Sequence, residues 1–185
     1  YILDDNFVEV FSADNYMSSE IIFPLIADAI VSQSFGNTTY IINGSMNSET
    51  MTTTLFGNPG GNDAWAGHRA TKAWYGLFAG SAAGLQSSPD VRAKLFWSAG
   101  HNWEMNDYKT WTDGFPSDKF WNKNSVGSGS ATSFSSTDFP LFRLSDAYLI
   151  YAECAVRGAA GTSMGQAITY FNQVRTRAGA PVVSV

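Results

Sequence analysis

The stretch LFRLSDAYLIYAECAVRGAAGTSMGQAITYFNQVRTRAGA, residues 141–180, decides the fold. Leu144, Ala147, Tyr148, Tyr151, Ala152 and Ala155 recur at three- and four-residue steps and share one face of a helix. Gly158 offers the left-handed residue on which helices commonly stop. After a short Gly/Ala/Thr turn, Ser163 with Gln166 three residues on fits a capping box. Ala167, Ile168, Phe171, Val174 and Ala178 continue an apolar face. Arg175 and Arg177 fall in the last turn, where the helix dipole favours cations, and Gly179 and Pro181 end it. Two helices with a short turn and facing apolar stripes predict an antiparallel hairpin over 141–180. This is the unit from which tetratricopeptide-type solenoids are stacked. One hairpin cannot bury both its faces, so other helices or loops are expected to cover it.

Upstream the chain is less regular. Glu20 to Ile26 reads as a strand, since Ile-Ile-Phe is β-prone and Pro24 belongs at an edge. Residues 36–63 are rich in Gly, Asn, Ser and Thr and predict a loop, with a short strand at Tyr40 to Ile42. Trp74, Leu77 and Phe78 have the spacing of a short helix. Ser88-Pro89-Asp90 marks a turn or helix entry before Val91 to Trp97. Residues 100–138 predict surface loops, aromatic as far as residue 123 and Ser/Gly-rich beyond it. The whole reads as one domain over 1–185, mainly α, with long irregular loops and a few short strands.

Composition narrows the function. Charged residues make up 15% and aromatics 15% of the chain, and the formal net charge is −5. No Lys or Arg precedes Arg69, while residues 1–68 carry eight carboxylates. Without a basic stripe to neutralise phosphates, nucleic acid is not an expected partner. The single cysteine, Cys154, makes no internal disulfide and reads as a buried, inert thiol. No segment approaches the ~20 apolar residues of a membrane helix. The chain starts at Tyr1 without initiator Met, signal peptide or lipidation site, and ends straight after the hairpin. Either such segments were removed by processing or the sequence starts inside a longer protein; the abrupt end favours a fragment.

At the hairpin the sequence resembles the SusD/RagB family. Phe139-Pro140-Leu141-Phe142-Arg143-Leu144-Ser145-Asp146-Ala147-Tyr148-Leu149-Ile150-Tyr151-Ala152-Glu153 is similar to its Arg-Leu/Tyr-Ala-Asp start leading to Tyr-Leu-Met-Tyr-Ala-Glu-Ala. Tyr170 to Gly179 is similar to its Tyr-Ile-Asn-Gln-Val-Arg-Thr-Arg-Ala-Gly segment. Asn15 to Phe23, Trp65 to Thr71 and Asp90-Val91-Arg92 are weaker echoes. Cys154 stands where the family has Ala. The resemblance implies a tetratricopeptide-like α-α superhelix with irregular insertions, whose N-terminal lipid anchor and further repeats lie outside this chain. It further implies a surface-exposed lipoprotein of the outer membrane that binds a glycan or similar nutrient. Its partner would be a SusC-like TonB-dependent transporter, and the family does no chemistry and needs no cofactor.

Sugars are bound by stacking C–H faces on rings and by hydrogen-bonding hydroxyls to a few placed polar groups. Trp65, His68 and Arg69, in a Gly-flanked segment, fit that recipe. His101, Asn102, Trp103 and Trp111, in the polar aromatic loop, fit it also. Tyr40 and Asn43 are weaker candidates. Tyr148 and Tyr151 read as core. Arg143, Glu153, Arg175 and Arg177 are expected to pair across the hairpin or cap its ends. No catalytic or metal-ligating residue is singled out; the Asp/Asn-rich loops leave calcium open, although no EF-hand spacing appears. Two rivals remain open: a glycoside hydrolase with a Trp-lined cleft, which needs a carboxylate pair ~5–10 Å apart, and a helical-repeat scaffold that binds protein.

Overall fold

A computed structural model describes residues 1–47, 51, 63–127, 129 and 133–184. Among these residues five α-helices and two strands form: β1 (Ile21–Leu25), α1 (Asn37–Ser45), α2 (Lys72–Tyr75), α3 (Ala82–Ser87), β2 (Phe139–Arg143), α4 (Leu144–Val156) and α5 (Met164–Arg177). Short 3-10 turns lie at Glu9–Phe11, Asn15–Met17 and Val91–Leu95. No helix among the described residues is long and apolar enough to cross a membrane.

The hairpin forms where its caps place it. Ser163 Oγ accepts from Gln166 N–H at the start of α5, and Gly158 and Gly179 take φ of 76° and 73° just beyond the two helix ends. At the start of α4, Asp146 reaches back to the Arg143 N–H at 3.1 Å, satisfying a donor that the helix leaves unpaired. The helices run antiparallel. Tyr148 stacks on Tyr170 with centroids 4.1 Å apart, and the Tyr151 hydroxyl accepts from Ser163 N–H. Tyr148, Tyr151 and Cys154 are each half-buried. One apolar groove of the pair, along Leu149, Ala152, Val156, Ile168 and Phe171, stays open.

The expected strand at 20–26 is β1, and its partner is β2, antiparallel, with Leu25 opposite Phe139 and Ile21 opposite Arg143. The register slips twice between Ile21 and Pro24. Pro24 faces Pro140, which a two-stranded ribbon tolerates because each strand has a free edge. β2 ends where α4 begins, so the first three residues of the 141–180 stretch are strand rather than helix.

Glu20, fully buried, joins these pieces. Its carboxylate binds Arg177 at the end of α5 and lies 3.5 Å from Arg143 at the start of α4. Both arginines also rest on ring faces, Arg177 on Phe7 and Arg143 on Phe11, each at 5.3 Å. They do not bridge the hairpin directly. Glu153 instead pairs with Arg157 on its own helix, and Arg175 donates to the Pro181 carbonyl.

Two apolar clusters form the core. Phe7, Val10, Phe11, Ile42, Leu95, Phe120 and Trp121 build the larger one, and Tyr75, Leu85, Ala93, Phe96 and Phe115 the smaller. The 100–138 segment thus contributes Phe115, Phe120 and Trp121 to the interior instead of lying on the surface throughout. Residues 128 and 130–132 of its Ser/Gly-rich part lie outside the described residues.

The strand expected at Tyr40 to Ile42 is corrected: these residues sit inside α1. Its sequence, NTTYIINGS, is poor in helix formers. Tertiary hydrogen bonds supply what propensity lacks. Asn43 Nδ2 donates to Ser133 O at 3.0 Å, Thr39 Oγ1 accepts from Ser135 N at 2.9 Å, and Thr38 Oγ1 donates to Thr137 O. Of the loop expected over 36–63, residues 48–50 and 52–62 lie outside the described residues.

Candidate ligand-binding site

α1 ends against the Ala64–Ala70 segment. The last carbonyls of a helix have no partner within it, and here the segment supplies one. Trp65 N donates to Asn43 O (2.8 Å), Gly67 N and His68 N to Gly44 O (2.9 and 2.6 Å), and Ala66 N to Met46 O (2.9 Å). Ala66 adopts φ 51° to make this fit. The backbone pairing sets Trp65 and His68 beside Tyr40 on the outer face of α1. Ring centroids are 4.5 Å apart for Tyr40–His68 and 6.1 Å for Tyr40–Trp65. Phe35 extends the strip, 6.1 Å from Trp65 and 4.9 Å from Phe134. Phe35, Tyr40 and Trp65 are 57%, 54% and 40% exposed. Rings held side by side by the backbone, yet open to solvent, offer flat apolar faces without the entropy cost of long flexible side chains.

The other candidates form a second knot. The Arg69 guanidinium donates to the carbonyls of Gly67 (2.7 Å), Asp113 (2.8 Å) and Tyr108, and lies over the Trp111 ring at 5.3 Å. Burial holds its pKa below the ordinary value, against the pull of Asp113 and Asp107. His101 Nδ1 meets Gly114 O at 2.8 Å, and its ring stands edge-on to Trp111 at 5.2 Å. Burial lowers the His101 pKa; the Gly114 bond opposes this and the Arg69 charge adds to it. Asn102 donates to Asp113 Oδ1 at 2.8 Å, while Asp113 Oδ2 accepts from the N–H groups of Asn106 and Asp107. Trp103 packs on Tyr75 (4.8 Å) and Phe115 (5.7 Å), and its carbonyl accepts from the Tyr75 hydroxyl. Asn102 and Trp103 therefore fasten the loop to the body. Asn43 is buried at 1% exposure and bonded to Ser133.

The two groups meet in one cleft of about 310 Å³, within the size range of small-molecule sites. His68 and Arg69 line it, with Ile41, Trp74, Lys119 and Phe120. Among the described residues no carboxylate lines it, and no three His, Cys, Asp or Glu side chains gather as metal ligands. Phe35, Trp74 and Lys119 are residues that sequence reasoning missed at this site. Phe35 and Phe134 sit in polar, Gly/Ser-rich surroundings, where an isolated ring was the available signal.

Residues 93–185, just over half of the chain, match the SusD family model. The chain belongs to the SusD family. This agrees with the resemblance carried by the hairpin. A SusD superfamily protein from Parabacteroides distasonis, known by crystal structure, superposes with TM-score 0.64 at 19% identity over 100% of this chain and 36% of its own. One from Bacteroides fragilis does so with TM-score 0.53 at 21% identity over 99% of this chain and 36% of its own. At these identities the likeness is one of fold. The chain spans about a third of the length of the solved structures it matches. No curated protein matches it. The SusD-like fold accounts for the mix of a regular helical hairpin, a small sheet and long irregular segments.

Proposed function

We propose that this chain is part of a cell-surface protein that captures a glycan, or a nutrient of similar chemistry, and passes it to a TonB-dependent outer-membrane transporter. The single observation that carries this reading is the exposed strip Phe35–Trp65–Tyr40–His68 beside a cleft. Solvated rings fixed in a row suit the C–H faces of sugars, and the cleft beside them offers few polar groups. Membership in the SusD family supports the same reading, including attachment to the outer membrane through a lipid anchor. Within it, the α4/α5 hairpin is one unit of a tetratricopeptide-like stack, supported by its antiparallel packing and its open apolar groove. Within this reading the protein acts by binding and does no chemistry, which membership in the SusD family supports.

Tryptophan fluorescence titrated with a panel of neutral and acidic oligosaccharides tests this, alongside an assay for newly released reducing ends. Saturable quenching without product is expected. Trp65→Ala should weaken binding about tenfold, roughly 1.4 kcal/mol, with the helix content unchanged by circular dichroism. Sustained release of reducing ends, or an affinity indifferent to Trp65, would overturn the proposal.

A further inference from the structure

A second cavity of about 250 Å³ adjoins the cleft and shares Trp74, Ser117 and Lys119 with it. The charged side chains on its wall are all cations among the described residues: Arg92, Lys119, Arg143 and Arg177. Carboxylates bind three of them without reaching the wall. Asp90 takes Arg92 through two bonds of 2.9 and 2.7 Å, Asp146 takes Arg143 at 3.1 Å, and Glu20 takes Arg177. Lys119 is the cation left over. Its ammonium has no ion pair or hydrogen bond among the described residues and rests on the ring faces of Phe11 (4.4 Å) and Phe120 (5.6 Å).

Other donors on this wall are also unanswered. Among the described residues Ser145 Oγ and Arg177 Nε are buried without a hydrogen-bond partner, and Arg143 Nη1 has only the Glu20 carboxylate, 3.5 Å away. Ser145 is 1% exposed and the Arg177 side chain 5%. Native proteins rarely leave buried donors unpaired, since each then loses its hydrogen bonds to water without replacement. Apart from Ser117 the rest of the wall is apolar, with Phe7, Leu95, Phe96, Leu149 and Val174. A group that carries one negative charge, accepts several hydrogen bonds and brings an apolar ring edge would satisfy every part of this wall. Burial, helped by the nearby Arg143 charge, pushes the Lys119 ammonium down to about 8, while Asp146 opposes the shift. A bound anion would relieve that penalty.

We infer that this cavity receives the single negative charge of an acidic saccharide, a uronate carboxylate or a sulfate ester, whose neighbouring units run through the cleft to the Tyr40 and Trp65 rings. The inference rests on the glycan-capture reading and adds the charge of the ligand. The continuity of the two cavities through Trp74, Ser117 and Lys119 is what joins ring stacking and anion recognition in one path. Two of the three wall arginines, Arg143 and Arg177, sit at the ends of the hairpin, so the fold itself delivers them.

Isothermal titration calorimetry on the full chain tests it with three probes of equal length: an oligouronate, its carboxyl-reduced neutral counterpart, and a sulfated form of that neutral oligosaccharide. At least one acidic probe is expected to bind about tenfold more tightly than the neutral one, with the advantage shrinking as salt rises. Which of the two does so distinguishes carboxylate from sulfate. Lys119→Met removes a half-buried charge that has no ion pair among the described residues and is expected to fold at least as well as the parent, while bringing the acidic-to-neutral affinity ratio close to one. Ser145→Ala should lower the ratio severalfold. If the neutral probe binds as tightly as both acidic ones and still responds to Trp65→Ala, the charge inference fails and the capture reading stands. If the ratio survives Lys119→Met, the inference fails at this cavity. If no probe binds, both fall.

Discussion

A Cβ placed on Gly44 would lie 2.3 Å from the His68 ring, closer than any real contact allows. The glycine is therefore what lets the Trp65–His68 segment dock on the end of α1, and with it the ring strip. Two effects oppose each other on substitution. Alanine favours a helix over glycine by about 1 kcal/mol, whereas forcing a side chain into occupied space costs about 1–3 kcal/mol. Gly44→Ala should therefore lower stability by up to about 2 kcal/mol and weaken the proposed glycan binding through the displaced His68. The same substitution in a His68→Ala background should raise stability by up to about 1 kcal/mol, because the obstruction is gone. Urea unfolding of the four proteins in this cycle gives the sign directly. A Gly44→Ala effect that keeps its sign in both backgrounds would show that His68 is not what the glycine makes room for.

At the scale of elements, Glu20 ties β1 to the far ends of α4 and α5. It is fully buried, with Arg177 on both oxygens and Arg143 at 3.5 Å. Breaking a buried pair by removing one charge typically costs about 3–5 kcal/mol, because the partner is left uncompensated. Glu20→Gln should cost within that range, since Arg143 keeps Asp146 while Arg177 loses its carboxylate. Hydrogen exchange should quicken in both hairpin helices, not only in β1. Exchange confined to β1 would mean that the carboxylate does not couple the elements. This coupling also marks where the sequence was legible. The hairpin announced itself through local signals: an apolar period, Ser163 as a cap, and Gly158 and Gly179 as stops. β1 was legible from Ile-Ile-Phe. α1 was not, because NTTYIINGS owes its helix to bonds with residues 133–137, almost a hundred positions away. Its misreading as a strand hid the face on which Tyr40, Trp65 and His68 meet. Trp103 looked like the other site tryptophans in sequence, and only its packing on Tyr75 and Phe115 sets it apart.

Across the whole molecule, consecutive residues Asp118 and Lys119 titrate away from their ordinary values in ways that shape stability against pH. Burial raises the Asp118 carboxyl to about 7, and its Oδ1 has no hydrogen-bond partner among the described residues. In the unfolded chain an aspartate ionises near ~3.9. As pH rises from about 4 to about 7 the unfolded state releases this proton first, so Asp118 drains stability over that window and no further above it. Lys119 works in the opposite sense. Its folded pKa of about 8 lies below the ~10.4 of the unfolded chain. Its penalty is therefore complete below about 8 and fades as pH rises toward ~10. Together the two residues depress stability most between about pH 7 and 8. Asp113, held low chiefly by the Asn102 amide, adds a separate loss in acid, so the contributions are read as differences between variant and parent. Asp118→Asn should match the parent near pH 4 and exceed it by roughly 2–4 kcal/mol at pH 7.5. Lys119→Met should show its gain at pH 7 and lose it by pH 10. A gain from Asp118→Asn already present at pH 4 would mean that the asparagine acts through packing, and that the carboxyl is ionised in the folded protein at ordinary acidity.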